Sequence, residues 1–376
     1  MNNSVKILTI TILLGWLITG SATFVFAQNY GSTSQQVKVF HPALHPVEKT
    51  DVNLYQQNGT SKNRFYIEVE SVSCGDNQCH VVPVRMYFNK LGFFEKLEFG
   101  RGVRLEKTKG KRFRKADYQK LNAILKKQDS ELARVDKEQL VKKQTDLDGV
   151  DAISGATTPL LPDKSYVKGA VWTCYTLWHW ANGELVQIIR NKTGEETTVP
   201  AFVTLLKSDN QINRLFALEQ IERLSKYQSE LLSCIQQQAN TFSRQETKLL
   251  LKYLENAPDS IRFSSLLELV VNNRQMQYDG LTSILKLMRD LSETECVQLS
   301  KLFSVLEFYP ELNLLLTIFE KSKCDHTEIV DEVLLLLNRE NIIIGRRAYW
   351  FLIERNLTLN QRKTLEEYRL ENSEYF

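Results

Sequence analysis

The sequence predicts an α+β domain followed by an all-α domain. Two observations carry that division. Apolar and polar residues alternate in three short runs between residues 65 and 99, the pattern of half-buried strands. Beyond residue 200 no such run recurs, and helix-start signals take its place. A chain of 376 residues exceeds one average domain. With 43% apolar and 25% charged residues it reads as globular, which excludes a multi-span membrane protein and a disordered chain. A net charge of +3 is too small to imply nucleic acid.

Taken in order, residues 1–27 are an export signal. Lys6 gives a positive start, Ile7 to Gly20 is almost wholly apolar, and Val25-Phe-Ala27 resembles a cleavage site. The segment is either removed as a signal peptide or kept as a single anchor in the inner membrane. Both place the remainder in the periplasm or cell envelope. Residues 28–60 are polar and predict a flexible lead-in. Residues 61–192 form the α+β domain. Its strands are Phe65 to Ser73, Val81 to Phe88 and Phe93 to Phe99, joined by the turn residues Gly75-Asp-Asn and Asn89-Lys-Leu-Gly92.

A basic segment, Arg101 to Lys120, reads as a solvated face, or as a dock for an acidic partner or anionic lipid headgroups at a membrane surface. Helical spacing begins near Ala116. An aromatic helix is expected from Val167 to Trp180, ending at Asn182-Gly183, and Glu184 to Arg190 predicts a last strand. Residues 193–200 are expected to be a polar linker. Residues 201–376 predict helices stacked in HEAT-like pairs. Capping boxes start at Ser243, Ser292, Asp325 and Thr358, the last three at an even interval of ~33 residues.

Six cysteines in an exported chain face an oxidising compartment. Cys74 and Cys79 flank a turn between two strands and predict a disulfide, with free thiols as the alternative. A zinc site drawing on His41 and His45, and a haem site at Cys74, Cys79 and His80, lack further ligands or suitable flanks, so no metal centre is expected. Cys234, Cys296 and Cys324 lie in helical, apolar surroundings and predict small buried hydrophobes.

The segment Asp151-Ala-Ile-Ser-Gly-Ala-Thr157-Thr158 stands apart. Its small residues let another molecule approach the backbone, and a hydroxyl follows them. The same residue types also suit a helix-capping turn. Asp151-x-x-Ser154-Gly155-Ala156-Thr157 resembles the flavinylation motif of FMN-binding domains, as in the flavin-bearing subunits of sodium-translocating NADH:quinone reductase and of the Rnf complex. The chain also resembles secreted bacterial proteins that pair this motif with a helix such as Tyr175-Thr-Leu-Trp-His179 here. Thr158-Pro159 stands where the family more often continues with an aliphatic residue.

The resemblance implies that an FAD:protein FMN transferase attaches FMN to Thr157 as a phosphoester. Asp151, Ser154, Gly155 and Ala156 would be its recognition elements, with Thr158 the neighbouring hydroxyl. It implies an electron carrier with redox partners at the membrane rather than a self-contained enzyme, since nucleophile elbows, phosphate loops and zinc-protease helices are all lacking. Trp172, Tyr175, Trp178, His179 and Trp180 are candidate neighbours of the flavin ring. Lys164, Lys168 and Arg190 are candidate partners of its phosphate. A flavin-free envelope scaffold is the rival reading.

Overall fold

A computed structural model describes residues 32–45, 47–57, 64–75, 78–136, 140, 161–287, 290–322, 324 and 326–376. Among them no helix is long and apolar enough to cross a membrane. The expected export segment, residues 1–27, lies outside the described residues. The chain divides into two compact units, residues 1–189 and 190–376.

The first unit is built on a five-stranded antiparallel sheet in the order β1-β2-β3-β4-β5. Its strands are β1 (Ser32–Phe40), β2 (Lys49–Gln57), β3 (Arg64–Gly75), β4 (Gln78–Phe88) and β5 (Phe94–Phe99). The three expected strands are therefore present. The expected flexible lead-in, residues 28–60, is corrected: it supplies β1 and β2. β1 is polar because it is an edge strand exposed along most of its length. β2 does alternate, burying Val52 and Leu54. The β4–β5 turn follows from Asn89, whose Oδ1 accepts from the Leu91 and Phe93 amides at 2.9 and 3.0 Å. Gly92 closes it at φ +79, where a Cβ would strike the Val186 backbone.

A short ribbon, β6 (Glu106–Lys107) with β7 (Lys111–Arg112), carries the basic segment. Leu105 and Phe113 reach into the core, while Arg101, Arg104, Lys111, Arg112, Arg114 and Lys115 are exposed. Two helices, α1 (Lys115–Lys126) and α2 (Val171–Asn182), cover one face of the sheet. Inward residues of the strands (Leu54, Phe65, Ile67, Val84, Met86, Phe88) meet Leu121, Ile124 and Leu125 of α1 and Cys174, Leu177 and Trp178 of α2. Gly169, at φ +77, sets the start of α2. Its carbonyl accepts from the Thr108 amide at 2.7 Å, an approach that a Cβ would obstruct.

Two further expectations are corrected. Glu184 to Arg190, expected as a strand, opens helix α3 (Glu184–Glu196). Leu185 and Ile189, four apart, are both fully buried, so the buried face has helical period. The expected linker, residues 193–200, is also helical in large part. α3 runs to Glu196, and α4 (Val199–Leu206) begins with Pro200 in its first turn, where no amide hydrogen is needed.

The second unit continues with α5 (Gln211–Arg223), α6 (Ser229–Gln238), α7 (Arg244–Glu255), α8 (Asp259–Asn272), α9 (Gln277–Lys286), α10 (Glu293–Ser300), α11 (Tyr309–Lys321), α12 (Thr327–Leu336), α13 (Ile342–Leu352) and α14 (Leu359–Glu371). Alternate helices pack on one another: α5 on α7, α9 on α11 and α11 on α13 form one row, and α4 on α6, α6 on α8 and α10 on α12 a second. Three expected capping boxes are formed, at Ser243, Ser292 and Thr358. Asp325 lies outside the described residues, and α12 starts at Thr327 behind His326.

The cysteine reading is corrected too. Cys234 is a buried free thiol as expected, but Cys296 and Cys324 are joined in a disulfide with Cα atoms 5.9 Å apart. Both sit in apolar surroundings, which is why the sequence reads as hydrophobe; the pairing depends on how α10 and the end of α11 meet.

Candidate functional site

The motif loop, with Asp151, Ser154, Gly155, Ala156, Thr157 and Thr158, lies outside the described residues. Its stem is placed. A 3-10 turn, Glu131–Arg134, precedes the motif in the chain and another, Asp163–Ser165, follows it. Ser130 caps the first turn, its Oγ accepting from the Leu132 amide at 3.3 Å. The two turns are tied together: Ser165 Oγ donates to Glu131 Oε2 at 2.6 Å across 34 residues. That hydroxyl, together with local backbone bonding and the Lys127 and Lys164 cations, holds the Glu131 carboxyl below its usual range. Leu132, Val135, Leu140, Leu161 and Val167 are all buried in the core of this unit.

A cleft of about 360 Å³ opens at this stem. Lys120, Lys127 and Lys164 surround it, Ser130 and Ser165 add hydroxyls, and Ala123 and Ile124 form an apolar floor. Lys120 Nζ donates to the Asp163 carbonyl at 2.6 Å, and Lys127 Nζ lies 3.8 Å from Glu131. Of the expected phosphate partners, Lys164 is at this cleft and Lys168 is exposed elsewhere on the turn into α2. Arg190 belongs to the second unit, bound to Glu219 through Nε at 3.1 Å.

The aromatic helix is mostly core. Tyr175, Trp178 and Trp180 are 2%, 4% and 2% exposed, leaving only Trp172 and His179 partly accessible among the five expected ring neighbours. Trp178 Nε1 donates to the Lys127 carbonyl at 2.8 Å, which fixes α2 against the end of α1.

One constellation was invisible in the sequence. His41, just past β1, is fully buried against α2. Its ring lies 4.4 Å from Trp180 and 6.0 Å from His179, and its Nε2 bonds the Thr176 carbonyl at 3.0 Å. Burial lowers the His41 pKa to about 4; burial, with His41 adding to it, lowers His179 to about 4. Nothing in either local sequence joins residues so far apart. Among the described residues no three His, Cys, Asp or Glu side chains form a metal cluster.

Cys74 and Cys79 are register partners across the β3–β4 hairpin, one step from its last pair, Gly75 with Gln78. The backbone thus sets the two residues opposite each other, as the turn between them predicts; their side chains lie outside the described part.

Searches against protein-family models, curated proteins and solved structures returned no match to this chain.

Proposed function

We propose that this chain is an exported electron-transfer protein carrying FMN as a phosphoester on Thr157, with a helical unit that docks redox partners at the membrane. The observation that carries the reading is the residue order Asp151-x-x-Ser154-Gly155-Ala156-Thr157. The cleft at the loop stem supports it. Three lysines suit a phosphate, and an apolar floor suits a planar ring. When bound, FMN supplies one- or two-electron transfer. The chain's own part would be to offer Thr157 for attachment, with Lys120, Lys127 and Lys164 available to a phosphate at the cleft.

Export is supported by the apolar N-terminal segment and by the Cys296–Cys324 disulfide, a bond that persists in oxidising compartments. The basic segment, Arg101 to Lys120, with Arg101, Arg104, Lys111, Arg112, Arg114 and Lys115 exposed, suits an acidic partner or a lipid surface. Helix starts at residues 211, 244, 277, 309 and 342 support a HEAT-like array.

A second reading, a flavin-free envelope scaffold on the same units, draws support from the burial of Tyr175, Trp178 and Trp180, which leaves little aromatic wall for a ring. One experiment separates the two. Co-expressed with an FAD:protein FMN transferase, the protein should be yellow and its denatured gel band fluorescent, and Thr157→Val should abolish both. A colourless product beside an active transferase sinks the carrier reading and leaves the scaffold. Fluorescence surviving Thr157→Val moves the attachment to another hydroxyl, with Thr158 the first to test.

A further inference from the structure

The positive charge of the chain is concentrated in one place. Residues 101–115 carry eight Lys or Arg against one Glu, a net of +7, while the whole chain carries +3. The remainder is therefore net −4. The modest total conceals a strong local field.

The segment is built rather than slack. Its ribbon closes at the base, where the Phe113 amide donates to the Leu105 carbonyl at 3.0 Å and both side chains enter the core. The Leu105 amide donates to the Tyr118 hydroxyl at 3.0 Å, and the Thr108 amide to the Gly169 carbonyl at 2.7 Å. Lys107, partly buried, is neutralised by Asp117 at 2.7 Å. Arg101, Arg104, Lys111, Arg112, Arg114 and Lys115 are exposed, and none of the six forms an ion pair among the described residues. A Cβ at Gly102 or Gly110 would meet nothing within 4 Å, so both turns stand clear of the fold. Six cations are thus carried on a backbone that is ordered before anything binds.

What surrounds the cations selects the partner. Between Val81 and Ile212 no described residue is an exposed large apolar side chain. A protein interface concentrates its affinity in buried apolar and aromatic anchors and is depleted of lysine. A bilayer surface demands neither. Its anionic headgroups rearrange beneath dispersed cations, and each basic residue there strengthens binding about fivefold by charge alone. With no apolar anchor, such a surface rests on the headgroups and does not enter the hydrocarbon.

We propose that residues 101–115, the β6–β7 ribbon with the turn before it, form an electrostatic docking surface for an anionic lipid bilayer. The surface rests on the functional reading above only for its place at a membrane. It shares no residue with the flavin motif or the lysine cleft, so the flavin experiment and the one below fail separately.

The test uses the full chain with vesicles of phosphatidylcholine, alone or with about one-third phosphatidylglycerol, at about 0.1 M salt, where charges act over about 10 Å. Acylation by a lysine-selective reagent, read by mass spectrometry, should be suppressed at Lys111 and Lys115 by the anionic vesicles and not by the neutral ones. The exposed Lys248 and Lys301 should react equally with both. Salt at about 1 M, which shortens the range to about 3 Å, should restore reactivity. This footprint reads the ribbon even if another segment of the chain also holds vesicles. In sedimentation, the preference for anionic vesicles should fall about 100-fold when Arg101→Gln, Lys111→Gln and Arg112→Gln are combined. Combining Lys248→Gln, Lys301→Gln and Lys321→Gln removes the same charge elsewhere and should leave the preference nearly intact. Unprotected ribbon lysines, equal protection by neutral vesicles, or equal losses in the two triple variants would each overturn the proposal. Protection by poly-glutamate with none by anionic vesicles would also overturn it, and would assign the ribbon to an acidic protein.

Discussion

The sheet unit and the helical unit are held together by links of different reach. In the first, the ends of the unit are sewn to each other. Glu184 of α3 accepts from the Phe40 amide across 144 residues and pairs with Lys49 across 135, and His41 meets Thr176 across 135. In the second, side-chain links join neighbouring helix pairs. Arg214 donates to Glu246 across 32 residues, Gln236 to Glu268 across 32, Arg347 to Asn313 across 34 and Gln361 to Asp331 across 30. A structure of the second kind approximates a sum of nearest-neighbour terms. One of the first kind must close a long loop before its contacts form, so its stability rests on a few distant meetings.

Acid should expose that difference most strongly. Each of His41 and His179 has a pKa near 4 in the folded protein against 6.5 unperturbed. The unfolded chain therefore binds more protons. Stability is complete above about pH 6.5 and falls as the pH drops towards 4, by roughly 3 kcal/mol for each imidazole once both forms are fully protonated. Urea unfolding in metal-free buffer at pH 7, 5 and 4 measures this. With Trp350 of α13 replaced by Phe, Trp172, Trp178 and Trp180 report the sheet unit by fluorescence, while far-ultraviolet dichroism is dominated by the helices. The fluorescence midpoint should fall steeply, and the helical midpoint much less. Parallel loss of both would show that the two units do not differ in this way.

The disulfide should produce the next largest effect, confined to the helical unit. Cys296 and Cys324 enclose a separation of 28 residues, for which the loss of chain entropy in the unfolded state corresponds to about 3–4 kcal/mol. Replacing both with Ala should lower the helical midpoint and leave tryptophan fluorescence of the sheet unit unchanged. An unaltered helical midpoint would mean that the cross-link constrains little that the helix pairs do not already hold.

What was legible in the sequence follows the same division. Ser243–Glu246 and Ser292–Glu295 announced helices because a cap is settled within four residues. β5 and much of β3 alternate in burial, while β4, buried on both faces from Val82 to Phe88, was legible as an apolar run. β1 was missed, since an edge strand in water carries no alternation to read. α3 was misread because Leu-Val-Gln-Ile-Ile is rich in β-branched residues, while its burial at Leu185 and Ile189 is set by tertiary packing that overrides propensity. The candidate site divides likewise. Thr157 and its motif are a local pattern, whereas the Glu131–Ser165 tie, the lysine cleft and the His41–His179 pair exist only once distant segments meet.

The smallest expected effect tests how local the helical unit is. In α10, Ser292 Oγ accepts from the Glu295 amide at 3.3 Å and Glu295 Oε2 returns a bond to the Ser292 amide at 2.8 Å. Ser292→Ala removes the first of these together with the bond that Ser292 Oγ donates to Glu295 Oε2 at 3.0 Å, and should cost about 1 kcal/mol. The same eight-residue helix carries Cys296. The cap acts on the folded helix and the disulfide mainly on the unfolded chain, so the two losses should add to within about 0.5 kcal/mol when Ser292→Ala is measured with Cys296 and Cys324 intact and with both replaced by Ala. A coupling well above that would mean that the cross-link positions the first turn of α10. The helical unit would then depend, as the sheet unit does, on a meeting between segments distant in sequence.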